Sequence, residues 1–369
     1  MSKYQEIIDW IQEQVGSGKL GPGDKIPSEN ELCEQFNMSR QTVRHAIGIL
    51  TTEGILTAER GSGTYVTDER AGTHERNRIA VVTTYVDSYI FPKMIQGIES
   101  KLRELGYSMQ IFFTNNSPVR EREILQDIID KDEVAGILLE PTRSALPTPN
   151  ADLFVKISEM KIPVLFINSY YPGLPQYVGG TEPIPHVSMN DEKCACKAVK
   201  FLIQNGHTNI GCILKLDDRQ GLDRFSGFQK AMINSRLTVR EENTVWIDTR
   251  DLTDTELIRE KIIKRFSECT AVFCYNDQVA SMVINMLQDE NISVPKDVSI
   301  ISMDDSDLAQ MGKIQIDSIP HPKERLGERA AENLIRLIHH PNFHASYEFE
   351  EHINVKGSVR NLAEKKEEK

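Results

Sequence analysis

The chain has 369 residues and a formal net charge of −12, which is too long for one ordinary core and suits a small module joined to a large α/β body. The acidic excess argues against a molecule coated all over by nucleic acid or an anionic membrane, so any DNA contact must be local. The opening MSKYQEIIDW is polar and amphipathic rather than a leader, no run is long enough to cross a bilayer, and six cysteines without paired spacing read as buried small hydrophobes; the expectation is a soluble, cytoplasmic protein without metal or disulfides.

Tyr4, Ile7, Ile8, Ile11 and Val15 recur at helical spacing and Gly16 and Gly18 end the run. Ser28 and Glu31 form an S-x-x-E capping box that opens a short second helix through Phe36. A third helix starts at Ser39, and its apolar stripe of Val43, Ala46, Ile47 and Leu50 leaves Gln41, Arg44, His45 and Gly48 on the other face, flanked by Arg40 and Thr42. No acidic side chain falls between Asn37 and Thr52, so this helix is locally basic and presents DNA-reading residue types. Gly54 closes it, and ILTAERGSGTYV reads as two strands about a glycine turn with Arg60 before the tip, a hairpin suited to a minor groove. The polar segment TDERAGTHERNR marks a linker, giving a first domain of residues 1–68, a linker of 69–78 and a body of 79–369.

In the body the apolar runs IAVVTTY, MQIFF, VAGILLE, PVLFIN, NIGCILK, AVFCY and VSIISM alternate with stretches of helical spacing. That alternation predicts parallel sheets built from βαβ units, in two lobes because about seven strands over this length exceed one doubly wound sheet. Ligands of such sheets sit beyond the carboxyl ends of the strands. Those ends carry Asp87, Tyr89 and Phe91, then Glu140, then Asn276 and Asp277, then Asp304 and Asp305. Ionised acceptors, a cationic donor, amides and a stacking ring are what a sugar's hydroxyls and apolar face require. One of Asp304 and Asp305 is expected to cap a helix near Leu308 while Asp304 faces the sugar, and Asp277 is the expected cap beside Asn276.

The stretch from PGDKIPSE through SRQTVRHA and LTTEG to GSGTYV resembles the winged helix-turn-helix domain of GntR-type regulators along nearly its whole length. The resemblance implies recognition-helix roles for Ser39, Arg40, Gln41, Thr42 and Arg44, backbone contacts from Lys3, Tyr4 and Ser28, and wing contacts from Arg60, Gly61, Ser62, Gly63 and Thr64. Glu29 falls on the same motif, where a carboxylate can accept from a cytosine amine. From RIAVVT to IPHPKERLGERAAENL the body is instead similar to the effector domain of LacI/GalR repressors, akin to periplasmic binding proteins. By that resemblance Arg224, Asn276, Asp304 and His321 fall on sugar-contact positions, with Glu140, Tyr89, Phe91 and Lys93 as additions. The fusion implies a homodimeric repressor that reads a pseudo-palindromic operator and is released by a small sugar, L-arabinose first, with no cofactor and no enzymatic step. A free sugar receptor would need a leader sequence, a pyridoxal-phosphate fusion a longer body, and nucleotide chemistry a glycine-rich phosphate loop; none is seen in the sequence. A glycosidase would need a pair of working carboxylates in the cleft.

Overall fold

The computed structural model describes residues 4–16, 19–21, 23–52, 55–59, 63–66, 77–174 and 184–363. The chain folds as two units, Met1–Arg76 and Asn77–Lys369.

The first unit holds three helices, α1 (Gln5–Gly16), α2 (Glu29–Phe36) and α3 (Arg40–Thr52), and a hairpin of β1 (Leu56–Glu59) and β2 (Gly63–Val66). Its start signals work as the sequence suggests. Ser28 Oγ accepts from the Glu31 N–H at 3.3 Å while Glu31 Oε2 accepts from the Ser28 N–H at 2.7 Å, so two otherwise orphaned donors at the α2 N-terminus are satisfied reciprocally. Asn37 ends α2 in the left-handed region at φ 48°, a conformation asparagine tolerates better than most side chains. Ile7, Ile8 and Ile11 of α1, Leu32 of α2, and Val43, Ala46, Ile47 and Leu50 of α3 are buried together with Leu56 and Val66 of the hairpin. The antiparallel register runs from Leu56 opposite Val66 to Glu59 opposite Gly63. Gly18, Gly54, the wing tip from Arg60 to Ser62 and most of the expected linker lie outside the described residues.

The second unit is two lobes, each a parallel sheet covered by helices. The first lobe contains β3 (Arg78–Thr83), α4 (Phe91–Glu104), β4 (Ser108–Phe113), α5 (Pro118–Lys131), β5 (Gly136–Leu139), α6 (Ala151–Glu159), β6 (Val164–Ile167) and β7 (His186–Met189). The second contains α7 (Asp191–Gln204), β8 (Ile210–Lys215), α8 (Arg219–Asn234), β9 (Thr244–Ile247), α9 (Glu256–Phe266), β10 (Ala271–Cys274), α10 (Asp277–Asp289), β11 (Ser299–Asp304), α11 (Leu308–Met311) and β12 (Asp317–Pro320). The chain then returns to the first lobe with α12 (Lys323–His339) and β13 (Tyr347–Phe349), and crosses back so that Asn354 bridges Ser318 at the edge of the second. It therefore passes between the lobes three times, near Asn190, near His321 and beyond Phe349. The sheets have the orders β13-β7-β6-β5-β3-β4 and β12-β11-β10-β8-β9, and every pairing in them is parallel.

Strand periodicity explains how one sheet feeds two cores. Ile79 and Val81 of β3 face α4 and α12, whereas Ala80 and Val82 face α5 and α6. Parallel strands covered on both sides carry continuous apolar runs, which is why seven of them were legible. The four not anticipated, β7, β9, β12 and β13, are three or four residues long and carry polar side chains such as His186, Thr244 and Asp317. Close helix contacts fix the layers: a Cβ on Gly97 of α4 would stand 2.2 Å from the Glu324 carbonyl of α12, and one on Gly227 of α8 would stand 2.2 Å from the Glu192 carbonyl of α7. Among the described residues no helix is long and apolar enough to cross a membrane.

Candidate functional sites

The exposed face of α3 carries Arg40, Gln41, Arg44 and His45, and Ser39 just precedes it. Ser39 Oγ accepts from the Thr42 N–H at 3.2 Å, so it completes the helix start. Tyr4 sets its ring edge-on to His45 with centroids 4.8 Å apart. Glu29, expected to meet a base, instead receives both arginines: Arg40 Nε at 3.0 Å and Arg44 Nε at 2.9 Å. Those guanidiniums, Arg44 foremost, hold the Glu29 carboxyl below the usual carboxylate range. Both arginine side chains remain more than 60 % exposed, so these pairs are weak and readily exchanged for another anion. Ser28 has its hydroxyl in the capping box, and Gly63 and Thr64 lie on β2. Lys3, Arg60, Gly61 and Ser62 lie outside the described residues.

In the body, a cavity of about 350 Å³ lies between the lobes, walled by residues at or just beyond strand carboxyl ends. Thr84 follows β3, Glu140 follows β5, Asn168 follows β6, Lys215 ends β8, Tyr275 and Asn276 follow β10, and Asp304 ends β11. Arg224 is its electrostatic centre. This side chain of α8, 4 % exposed, donates through Nε to Asp191 Oδ1 at 2.7 Å, through a terminal nitrogen to Asp304 Oδ1 at 3.1 Å, and to the Tyr275 carbonyl, with the Tyr275 ring 4.7 Å away. Burial raises the Asp191 carboxyl to about 6, because one guanidinium is shared with Asp304 and cannot fully offset its desolvation. The two carboxylates are thus fixed on a single arginine rather than poised as an acid and a base.

Asp304 stands in the left-handed region at φ 91°, and its second oxygen accepts from the Tyr89 hydroxyl at 2.7 Å. Tyr89 itself has φ 61°. Two such residues in one site store conformational cost on the order of 1–3 kcal/mol each, held by the surrounding bonds. Asp305 turns away to Lys356 and Asn354, so it caps no helix. The expected cap near Leu308 is corrected on the same ground, since neither aspartate bonds the start of α11 and no side chain caps it.

The second lobe adds a second charge pair. Lys215 Nζ lies 2.6 Å from Asp218 Oδ2 and 3.0 Å from Thr249 Oγ1. Burial alone would lower its basicity, but the Asp218 and Asp217 carboxylates outweigh that and raise it. From the first lobe Glu140, 6 % exposed, accepts from the Thr84 N–H at 2.8 Å, the Thr84 hydroxyl at 2.5 Å and the Asn168 amide at 2.8 Å; burial raises its pKa. His321 Nε2 sits 3.2 Å from Asn168 Oδ1, and burial pushes its pKa down to about 4.

Seven of the eight sugar-contact expectations border this cavity: Tyr89, Phe91, Glu140, Arg224, Asn276, Asp304 and His321. The eighth, Lys93, does not, and stands exposed on α4. The helix-cap expectation is reversed at the β10 end. Asn276 Oδ1 caps α10 by accepting from the Val279 N–H at 3.0 Å, while the fully buried Asp277 accepts from Ser302, Ser318 and the Ser306 N–H. Lys215, Asp218, Asp191 and Tyr275 went unremarked. A lysine closing the apolar run NIGCILK was the available signal, because a cation at a parallel strand's carboxyl end is seldom idle.

Residues 3–66 match the family model of bacterial regulatory proteins of the gntR family, and residues 199–359 match a periplasmic binding protein-like domain. An arabinose metabolism transcriptional repressor of Geobacillus stearothermophilus is 36 % identical over 338 residues, covering 90 % of this chain and 89 % of that one. A repressor of the same description from Halalkalibacterium halodurans is 33 % identical over 344 residues, covering 91 % and 89 %. Among solved structures, a transcriptional regulator CelR–cellobiose complex aligns with a TM-score of 0.67 at 19 % identity over 86 % of this chain and 90 % of that one. The regulator CcpA of Lactococcus lactis aligns at 0.65 and 20 % over 77 % and 99 %. At these identities the structural likeness speaks to fold alone.

Proposed function

This chain belongs to the family of arabinose metabolism transcriptional repressors, and from that premise we propose that α3 and the β1–β2 hairpin hold an operator until L-arabinose fills the cavity between the lobes. It is a DNA-binding, sugar-responsive repressor rather than an enzyme, and its place of action is the cytoplasm, where its operator lies. The observation that carries the ligand reading is that each cation placed in the cavity above is already paired within the protein. Arg224 is neutralised by Asp191 and Asp304, and Lys215 by Asp218. Among the described residues such a lining has no uncommitted cation for a phosphate or carboxylate, yet it presents charge-assisted donors and acceptors to neutral hydroxyls.

In this reading Arg224, Asp304, Glu140, Asn276 and His321 meet hydroxyls and Tyr89 or Phe91 faces the sugar's apolar side. Arg40, Gln41, Thr42 and Arg44, with Ser39, read the operator, and Tyr4, Ser28 and the wing grip the backbone. The working species is a homodimer on a pseudo-palindromic site, because one winged helix covers too few base pairs for high specificity. A sugar lowers operator affinity only by binding more tightly to the arrangement that grips DNA less well. Calorimetry of the full chain with L-arabinose, D-xylose, D-ribose and D-glucose, paired with fluorescence anisotropy on labelled operator, tests the reading. L-arabinose should bind and release operator; tighter binding and release by another of these sugars would replace the effector, and no release by any would refute the reading.

A further inference from the structure

The two lobes touch through contacts that need no ligand. Helix α8 carries Arg224, and its N-cap residue, Asp218, makes no side-chain capping bond because its carboxylate is engaged by Lys215 and by the Tyr275 hydroxyl at 3.2 Å. The cap comes from the other lobe. Ser144, 2 % exposed in the turn after β5, accepts from the Arg219 N–H at 3.0 Å and donates to Gln220 Oε1 at 3.4 Å. Beside it the Ala145 N–H donates to the Asp217 carbonyl at 3.2 Å. Asn116 of the first lobe donates through its side-chain amide to Thr249 Oγ1 of the second at 2.9 Å, and its side-chain Oδ1 accepts from the Arg143 N–H at 2.8 Å. The Arg219 guanidinium lies 4.5 Å over the ring of Tyr170 on the first lobe. Asn115, Asn116 and Arg143 all hold positive φ, at 51°, 55° and 44°. Successive left-handed residues persist where surrounding contacts over-determine them, and they cluster at switch regions.

We propose that Ser144 is a positioning residue that caps α8 across the cleft, so that the helix presenting Arg224 is completed only when the lobes close. Open lobes would leave the Arg219 N–H without this partner, and the orphaned donor favours closure before any sugar arrives. Asn116 with Thr249, and Arg219 with Tyr170, hold the same closure at two flanking points. Sugar then adds its affinity to a closed state already populated, and weakening the latch taxes sugar binding without altering Arg224's own partners.

Hydrogen–deuterium exchange on the full chain tests this at the Ala145 amide, whose own acceptor is untouched by either substitution. Without sugar that amide should be protected. Ser144→Ala should speed its exchange roughly 2- to 30-fold, the range expected for loss of a helix cap, and Ser144→Thr should restore protection. Arg219→Ala, whose side chain lies outside the sugar cavity, keeps the capped backbone N–H but removes the guanidinium from the Tyr170 ring and should speed exchange by a smaller factor, about 2- to 5-fold. The half-saturating L-arabinose concentration should rise by a similar factor. This last arm rests on the proposed sugar site; if L-arabinose alters nothing while both variants still speed exchange, the effector is wrong and the latch stands. Equal exchange at Ala145 in the parent chain and both variants overturns the proposal.

Discussion

Removing the guanidinium of Arg224 should cost the second unit stability as well as its sugar response. Arg224→Ala leaves Asp191 and Asp304, both buried, facing each other without their shared cation. Breaking a buried pair by deleting one partner typically costs on the order of 3–5 kcal/mol. At about 2–4 °C per kcal/mol for a domain of this class, the body's melting temperature should fall by roughly 6–20 °C. The penalty must also depend on pH. The Asp191 carboxyl already titrates near 6 against an ordinary 3.8, and loss of the cation moves it further up. A folded acid with a raised pKa stabilises below its unfolded value and loses that contribution as pH rises through the folded value. The variant should therefore be closer to the parent at pH 5.5 than at pH 8, and Asp191→Asn in the Arg224→Met background should recover stability without recovering sugar binding. Thermal melts at both pH values, with calorimetry at a temperature where both proteins are folded, read these outcomes. A penalty below about 1 kcal/mol and unchanged with pH, together with normal sugar affinity, would refute the reasoning.

Arg44→Ala should lower operator affinity on the order of 5- to 150-fold, the equivalent of about 1–3 kcal/mol for a bidentate base contact, while calorimetry finds sugar affinity unchanged. Ser28→Ala removes the hydroxyl half of the α2 capping box and should destabilise the first unit by about 0.5–2 kcal/mol, read as a lower midpoint in its denaturant transition. His321, held near 4 against an ordinary 6.5 with Asp304, Lys323 and Arg224 facing it, stays neutral in the folded body where an unfolded chain would charge. Its contribution is complete above pH 6.5 and is lost as pH falls toward 4, about 3 kcal/mol in all. His321→Gln should flatten that part of the stability–pH curve, and a parallel curve for both proteins would count against its burial.

The first unit was legible almost residue by residue because its signals are local. A capping serine and an apolar stripe each act within one element, and Ser28, Val43 and Leu50 sit where such rules put them. The long strands were legible for the same reason. Side-chain pairings in the cavity depend on elements far apart in the chain, and sequence pattern is weakest there. Nothing local in DDS says that Asp304 takes φ 91° and turns to Arg224 while Asp305 joins Lys356. The cap fell to Asn276 rather than Asp277 because Ser302 and Ser318, from two neighbouring strands, claim the aspartate. Lys93 was expected by resemblance alongside Tyr89 and Phe91, but a helix turns about 100° per residue and carries it to the outer face of α4. The Glu29 clamp joins residues eleven and fifteen apart on two helices, beyond the reach of any single-element rule.

The triple passage between lobes bears on how the chain acquires its shape during synthesis. The first lobe is seeded by β3 near residue 78 but lacks α12 and β13 until about residue 349 has emerged, and the second lacks its Asn354 edge contact until after that. Leu326, Ala330 and Leu334 of α12 pack on Ile79, Val81 and Leu138, so the nascent first sheet has this apolar face covered by α4 alone while the whole second lobe is being made. Contacts of such long sequence separation form late and slowly, and exposed sheet surface in the interval invites association between chains. Loss of the last thirty or so residues would therefore leave an intact DNA-reading unit attached to two unfinished sheets.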